Sequence, residues 1–304
     1  MISGILLVDK HEGPTSRRVV DQARRALGEK KAGHLGTLDP FATGLLPVLF
    51  GKATRLARFL SGGDKAYEGV IRFGAASDTL DRTGTILEER PLPPGLDRDA
   101  LAPRLAALTG EIEQLPPMYS AVQVDGKRLY KLARQGVEVE RTPRQVTVHR
   151  IEITGLELPR ATFTVRCGPG TYIRSLVHDL GAALGCGALL EELRRTAAHP
   201  FTLDRAVPQA QLEEEGRRDD LRAALIPLEG IDLGMPRVTL APDAAALAVH
   251  GGAVPLPDDE PAPAEPGNFC CLHLPDGSLA AVARVEPGPP ARLQPVVVLA
   301  ARNQ

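Results

Sequence analysis

Between Gly33 and Pro47 the chain reads Gly33-His34-Leu35-Gly36-Thr37-Leu38-Asp39-Pro40-Phe41-Ala42-Thr43-Gly44-Leu45-Leu46-Pro47. The stretch is apolar apart from one carboxylate, one imidazole and two hydroxyls. A solvated turn would carry more polar residues, and a core strand would not hold three glycines, two prolines and an acid. It reads as backbone folded tightly around Asp39. Pro40 drives Asp39 out of the α region toward extended geometry, and Gly33, Gly36 and Gly44 permit turns that a Cβ would block. A carboxylate aimed into a cavity in this way can act as nucleophile or as a stabiliser of developing charge. The competing reading makes Asp39 an N-cap or Asx-turn residue opening a short helix at Pro40. His34 titrates near neutrality when unperturbed, and it serves either the chemistry or the loop backbone. Two further residues carry possible chemistry. Tyr67 opens an alternating β-rich run and is either a core residue with a wet hydroxyl or part of a site. Arg174 falls near a helix start, where a cation is unfavourable toward the dipole, so a compensating anion such as Asp39 or a phosphate is expected beside it.

The elements that must position these groups are readable in order. Gly4 to Val8 is an apolar run ending in Asp9-Lys10, a short buried strand. Ser16 is placed to cap a helix with Val20, Ala23 and Leu27 at helical spacing and Gly28 as its stop. The other face of that helix carries Arg17, Arg18, Arg24 and Arg25, either solvated or facing phosphates. Tyr67 to Phe73 is a strand with Tyr67, Gly69, Ile71 and Phe73 on one face. Leu101 to Leu108 reads as a helix and Ala161 to Cys167 as a strand. After the Gly168-Pro169-Gly170 turn, Thr171 is placed to cap a helix with Ile173, Leu176, Val177, Leu180 and Leu184 as its apolar stripe. His199 to Gln209 is loop-like and Leu212 to Ala224 helical. Beyond Gly234 the composition shifts to Pro, Ala and Gly with short apolar runs at Phe269 to Leu274 and Ala280 to Val285, which suit a small β-rich module. Asp258 to Gly267 within it is a Pro-rich acidic loop.

The chain has 304 residues, enough for one large domain and a small one, and its 43% hydrophobic and 24% charged residues make it globular. No apolar run of membrane-spanning length and no secretory signal pattern is present, so a cytoplasmic protein with no membrane association is expected. Four cysteines, Cys167, Cys186, Cys270 and Cys271, show neither CxxC pairs nor metal-ligand spacing, and reduced thiols with no metal are expected. The formal net charge of -2 speaks against a polyanionic partner, but its distribution does not. Residues 1 to 76 hold 12 Lys/Arg against 7 Asp/Glu and residues 124 to 150 hold 7 against 3, while residues 236 to 304 hold 4 against 7. Lys127, Arg128, Lys131, Arg134, Arg141 and Arg144 stand with Tyr130 in a basic and aromatic mixture suited to looped RNA.

The long motif of the form Gly-His-x-Gly-Thr-Leu-Asp-Pro-x-Ala-Thr-Gly-Leu-Leu resembles the catalytic motif of the stand-alone tRNA pseudouridine synthases, which isomerise the T-loop uridine called position 55. The stretches Asp64-Lys65-Ala66-Tyr67, Pro117-Met118-Tyr119-Ser120-Ala121, Gly126-Lys127-Arg128-Leu129-Tyr130, Ala133-Arg134-Gln135-Gly136 and Gly170-Thr171-Tyr172-Ile173-Arg174 recur in that family in this order. The likeness runs from about Gly4 to about Arg195. It implies an α+β fold: a mixed, largely antiparallel sheet in a catalytic domain over residues 1–234, with an RNA-gripping insertion at about 124–150, and a small β-barrel-like, PUA-type module over 235–304. It also implies catalytic roles for Asp39, Tyr67 and Arg174, with Arg174 keeping Asp39 ionised. His34, Tyr67, Tyr172, Leu193 and Lys10 are implied as substrate-binding, and Lys127, Arg128, Lys131 and Arg134 as contacts to the RNA backbone. The substrate would be the T arm and T loop of tRNA, with no cofactor, no obligate protein partner and a monomeric enzyme. Leu35 departs from the family pattern, which often has a small or hydroxyl residue there, and its bulk is expected at the pocket wall.

Overall fold

The computed structural model describes residues 2–300 except 121, 122, 125, 126, 134, 136, 138, 257–266, 289 and 290. The side chains of Lys127, Arg128, Tyr130 and Lys131, the whole of Arg134 and nearly all of the acidic Pro-rich loop lie outside the described residues, so the expectations placed on them are not addressed by the geometry.

The fold class is the expected one. An 11-stranded sheet runs in the order Val207–Pro208, Gly4–Lys10, Thr43–Phe50, Ala188–Ala198, Lys65–Phe73, Arg160–Cys167, Arg144–Glu157 and Gly110–Gln114, with three short strands paired at its margins. Only two of its pairings, Gly4–Lys10 with Val207–Pro208 and Thr43–Phe50 with Ala188–Ala198, are parallel. The strand Gly4–Lys10 is buried on both faces, which is why it reads as a continuous apolar run rather than an alternation. Leu6 and Val8 face one side, together with Val19, Val20, Ala23 and Leu27 of the helix Ser16–Leu27 and Ile173, Leu176, Val177 and Leu180 of the helix Ile173–Leu184. Ile5 and Leu7 face the other, as the period-2 geometry of a strand requires. Leu35 also belongs to that second cluster, so its bulk enters the rear core and not the pocket wall.

The register places the site. Lys10 stands opposite Gly44. Ala188–Ala198 pairs with Lys65–Phe73 so that Leu193 faces Gly69 and Arg195 faces Tyr67. On its other edge Arg195 is in register with Gly44. Three segments distant in sequence thus meet at one end of the sheet.

Several element boundaries differ from the sequence expectation. The cap of the first helix is Thr15, whose side chain accepts from the Arg18 N–H; Ser16 lies one residue inside and is used otherwise. The second major helix starts from Tyr172, while the Thr171 hydroxyl donates to the Gly168 carbonyl in the preceding turn. Leu212 to Ala224 is not one helix: a 3-10 turn at Gln209–Leu212 is followed by a helix only at Arg218–Ala223. Three successive glutamates and Gly216 at φ 80° interrupt it. The helix expected from Leu101 starts earlier, at Arg98, capped by Asp97. His199 to Gln209 contains two short paired strands.

After Gly234 a second, 5-stranded sheet runs Arg237–Thr239, Phe269–His273, Leu279–Glu286, Arg292–Val298 and Val254–Pro255. With the helix Pro242–Ala248 it forms the small β-rich module, and it has its own core of Val238, Ala248, Val254, Leu272, Ala281 and Leu293.

Candidate active site

Asp39 sits between the short strand Ala32–His34 and the strand Thr43–Phe50, and no helix opens at Pro40. The capping reading is therefore not what the structure adopts. The loop is held through its main chain. The Ser16 hydroxyl donates to the Leu38 carbonyl at 3.0 Å and accepts from the Leu38 N–H at 2.8 Å. Lys10 is fully buried, and its Nζ reaches the carbonyls of Ala42 (2.6 Å), Pro40 (3.1 Å), His11 (3.1 Å) and Asp39 (3.3 Å). Burial lowers its pKa to about 8, against the opposing attraction of the Asp39 charge. With main-chain groups clamped behind it, the Asp39 side chain is free to point forward.

It points at Arg174. Nε lies 2.9 Å from Oδ2 and Nη2 3.3 Å from Oδ1, a bidentate pair that fixes direction as well as charge. The anion expected beside an arginine at this helix start is thus Asp39. Arg174 is itself buried, and it donates to the carbonyls of Thr79 and Tyr119, each at 2.8 Å. Its Nη1 is 3.6 Å from a second buried carboxylate, Asp81, whose Oδ1 accepts from the Thr79 hydroxyl and from the Thr83 N–H and hydroxyl. One guanidinium therefore lies between two acids. The Asp39 carboxyl is pushed above its ordinary range, because burial outweighs the lowering by Arg174, and Asp81 adds to the rise. This corrects the expectation that Arg174 alone would set the direction. Asp39 still keeps 34% of its side-chain surface open, the side from which a reacting atom would approach.

Tyr67 is buried at 8% exposure in the same cluster as Leu38 and Leu193, so it is a core side chain. Burial raises its phenol pKa, with the Arg195 charge opposing. Leu193 is buried, and its carbonyl accepts from the Thr43 hydroxyl. Gly69, opposite it, has no room for a side chain: a Cβ would lie 2.3 Å from the Glu192 carbonyl and 2.9 Å from the Phe163 ring. His34 ends its strand half-buried, with a buried Nδ1 that has no partner among the described residues. Burial, then the charges of Arg195 and Arg17, lowers its pKa and keeps the imidazole neutral at pH 7. The main chain of Tyr172 is bracketed by the Gln114 amide, at 2.7 Å and 3.0 Å.

Arg17, Arg18 and Arg25 are exposed, with Arg17 and Arg24 turned partly to Asp21. Cys167, Cys186, Cys270 and Cys271 are buried free thiols. Among the described residues no group of three His, Cys, Asp or Glu converges as a metal site.

Sequence reasoning missed Asp81, Arg195 and the clamp made by Ser16. Asp81 carried a signal, since Asp78-Thr79-Leu80-Asp81-Arg82-Thr83-Gly84 is an acid with hydroxyls at turn spacing. Arg195 carried one as well, a cation inside an otherwise apolar strand.

Residues 24–173 match the profile of the TruB family pseudouridylate synthase N-terminal domain, and residues 174–231 that of the tRNA pseudouridylate synthase B C-terminal domain. The chain is 45% identical over 261 residues to tRNA pseudouridine synthase B of Azoarcus sp. (strain BH72), covering 85% of each chain. It is 44% identical over 295 residues to the protein of that name from Cupriavidus metallidurans, covering 94% of this chain and 92% of that one. Among solved structures it resembles a chain in an H/ACA RNP bound to a substrate RNA containing 2'-deoxyuridine, with a TM-score of 0.75 at 26% identity over 99% of this chain and 86% of that one. A chain of a Cbf5-Nop10-Gar1 complex gives 0.69 at 30% identity, over 93% and 78%. The protein belongs to the TruB family of pseudouridylate synthases.

Proposed function

We propose that this protein isomerises uridine to pseudouridine in tRNA, at the T-loop position 55, with Asp39 as the nucleophile. The observation that carries the reading is the bidentate Asp39–Arg174 pair, held on a loop whose main chain is gripped by Lys10 and Ser16 while one side of the carboxylate stays open. The reaction breaks the glycosidic C–N bond, turns the uracil and rejoins it through C5; the proton lost from C5 balances the one gained at N1, so no redox partner is needed. Asp39 attacks at the ribose C1' or the uracil C6, and Arg174 keeps its charge oriented. A stacked T-loop base cannot reach a half-buried carboxylate, so the uridine flips out at a cost of a few kcal/mol. Stacking on Tyr67, worth about 1–3 kcal/mol, offsets much of it. The Tyr67 phenol moves a proton during rearrangement. His34, Tyr172 and Leu193 border the base, and Lys10 acts from behind, through the loop carbonyls it holds.

We infer the same division of the chain as the composition suggested, a catalytic unit over 1–234 and a module over 235–304. Lys127, Arg128, Lys131 and Arg134 of the 124–150 insertion meet the phosphates of the T arm. The enzyme works as a monomer in the cytoplasm without an obligate protein partner.

The test is Asp39→Asn on unmodified tRNA with deamidation excluded. Binding is expected within about threefold of wild type and pseudouridine formation lower by at least about a thousandfold. Turnover within tenfold of wild type would remove Asp39 from the nucleophilic role. Activity on bare tRNA with purified protein separates this reading from that of a guide-dependent enzyme.

A further inference from the structure

Arg195 is 1% exposed, and among the described residues no carboxylate lies within ion-pair distance of it. A buried cation is costly unless paired and hydrogen-bonded, so its partners define its role. Nε donates to the Leu45 carbonyl at 2.7 Å and Nη2 to the Gly36 carbonyl at 3.0 Å. These acceptors lie on either side of Asp39 in the chain. Tyr67, the residue in register with Arg195 across the antiparallel strand pair, lies on the same face of the sheet, and each group biases the other's charge. The backbone repeats this arrangement, since Arg195 is in register with Gly44 on one edge and Tyr67 on the other. Gly36 and Gly44 make way for it, at φ 70° and 96°, where a Cβ would come 3.1 Å from Nη1 and 2.3 Å from the Arg195 carbonyl.

We infer that Arg195 is a positioning residue that fixes the Asp39 loop and the Tyr67 phenol to each other. It sets the spacing between nucleophile and stacking ring, and a misplacement of about 1 Å in such a pair costs about a hundredfold in rate. The missing carboxylate follows from this: an acid beside Arg195 would compete with the phenol for the same donors.

The rate measurement below rests on the pseudouridine-synthase reading; the spectroscopic and thermal measurements do not. Arg195→Lys keeps a cation but cannot reach both carbonyls and the phenol. Its tRNA affinity is expected within about threefold of wild type and its single-turnover rate at saturating tRNA lower by about a hundredfold. In a Tyr67→Phe background the same substitution is expected to cost at least about tenfold less, because part of its effect passes through the lost oxygen. Equal losses in the two backgrounds, or a rate within threefold of wild type, would overturn the inference. In 3-fluorotyrosine protein, the ¹⁹F resonance that Tyr67→Phe removes should shift in Arg195→Lys, and those of Tyr119, Tyr130 and Tyr172 should not. Should Arg195→Lys fail to fold, Tyr67→Phe alone remains informative. Removing the polar oxygen beside a buried guanidinium is expected to lower the thermal midpoint by about 2–6 °C, and an unchanged midpoint contradicts the inferred coupling.

Discussion

At the level of single residues, the site sets one cation between two acids, and its pH behaviour follows. The Asp39 carboxyl is raised above 3.8 by burial. A raised carboxyl stabilises the fold at acid pH, below its unfolded pKa, and that contribution is lost as pH rises through the folded pKa. The ionised form that the proposed chemistry needs is thus the form the fold favours less. Single-turnover rate should rise with pH through a midpoint above the ordinary carboxylate value, and fall again as Lys10 loses its proton near pH 8 and one loop carbonyl loses its donor. A rate–pH profile measures both limbs; an acid limb at or below 3.8 would show that Arg174 outweighs burial. Arg174→Met leaves Asp39 and Asp81 facing each other without a cation and should destabilise by about 3–5 kcal/mol in a denaturant titration. The Asp39–Arg174 pair was legible in sequence, because a proline-locked acid and an arginine at a helix start each call for a partner. Arg195 was not, since its role appears only when strand register sets it opposite Tyr67, 128 positions away along the chain by their numbers.

Among the elements, the first helix carries a duty that its amphipathic pattern hides. Its apolar stripe packs on the sheet as the spacing of Val20, Ala23 and Leu27 predicts, but its first residue, Ser16, grips both polar groups of Leu38. Ser16→Ala removes that grip inside the fold and leaves a buried N–H and carbonyl unpaired, at a cost of about 1–3 kcal/mol. Because Leu38 precedes Asp39, the rate should fall more than tRNA affinity does; parallel losses in both would mean that Ser16 only supports the helix. Thr15→Ala is the control, a lost cap of about 1 kcal/mol with little effect on rate. The strands Gly4–Lys10, Lys65–Phe73 and Arg160–Cys167 and the two major helices were readable because their periodicity reports local burial, whereas the strands Thr43–Phe50, Arg144–Glu157 and Ala188–Ala198 were not read. The exact caps were not, since neighbouring hydroxyls at Thr15 and Ser16 are equivalent in sequence and only tertiary contact assigns one to the helix and the other to the loop.

Across the whole molecule, the C-terminal module stands on the back of the catalytic sheet. Its Leu279, Val282, Val297 and Leu299 share a buried cluster with Ile5, Leu7, Leu45 and Leu49. Phe59 meets Phe269 edge-on at 5.2 Å. Lys52 and Arg55 donate to the Leu299 and Val298 carbonyls at 2.6 Å and 2.5 Å, so the 3-10 turn Gly51–Leu56 serves to dock the module. Every proposed catalytic group lies upstream of residue 235, and from sequence the tail looks dispensable for chemistry. The contacts modify that view. Removing residues 235–304 would uncover the apolar side chains of Ile5, Leu7, Leu45 and Leu49, and Leu45 also supplies the carbonyl that holds Arg195. The truncated chain should therefore melt several degrees lower and self-associate, while whatever fraction stays folded and monomeric turns over saturating tRNA more slowly than the full chain. Phe269→Ala, which loosens the junction without exposing all of these side chains, should lower the midpoint with a smaller loss of rate. A truncated monomer with an unchanged midpoint and full saturating turnover would show that the two units are joined without being coupled.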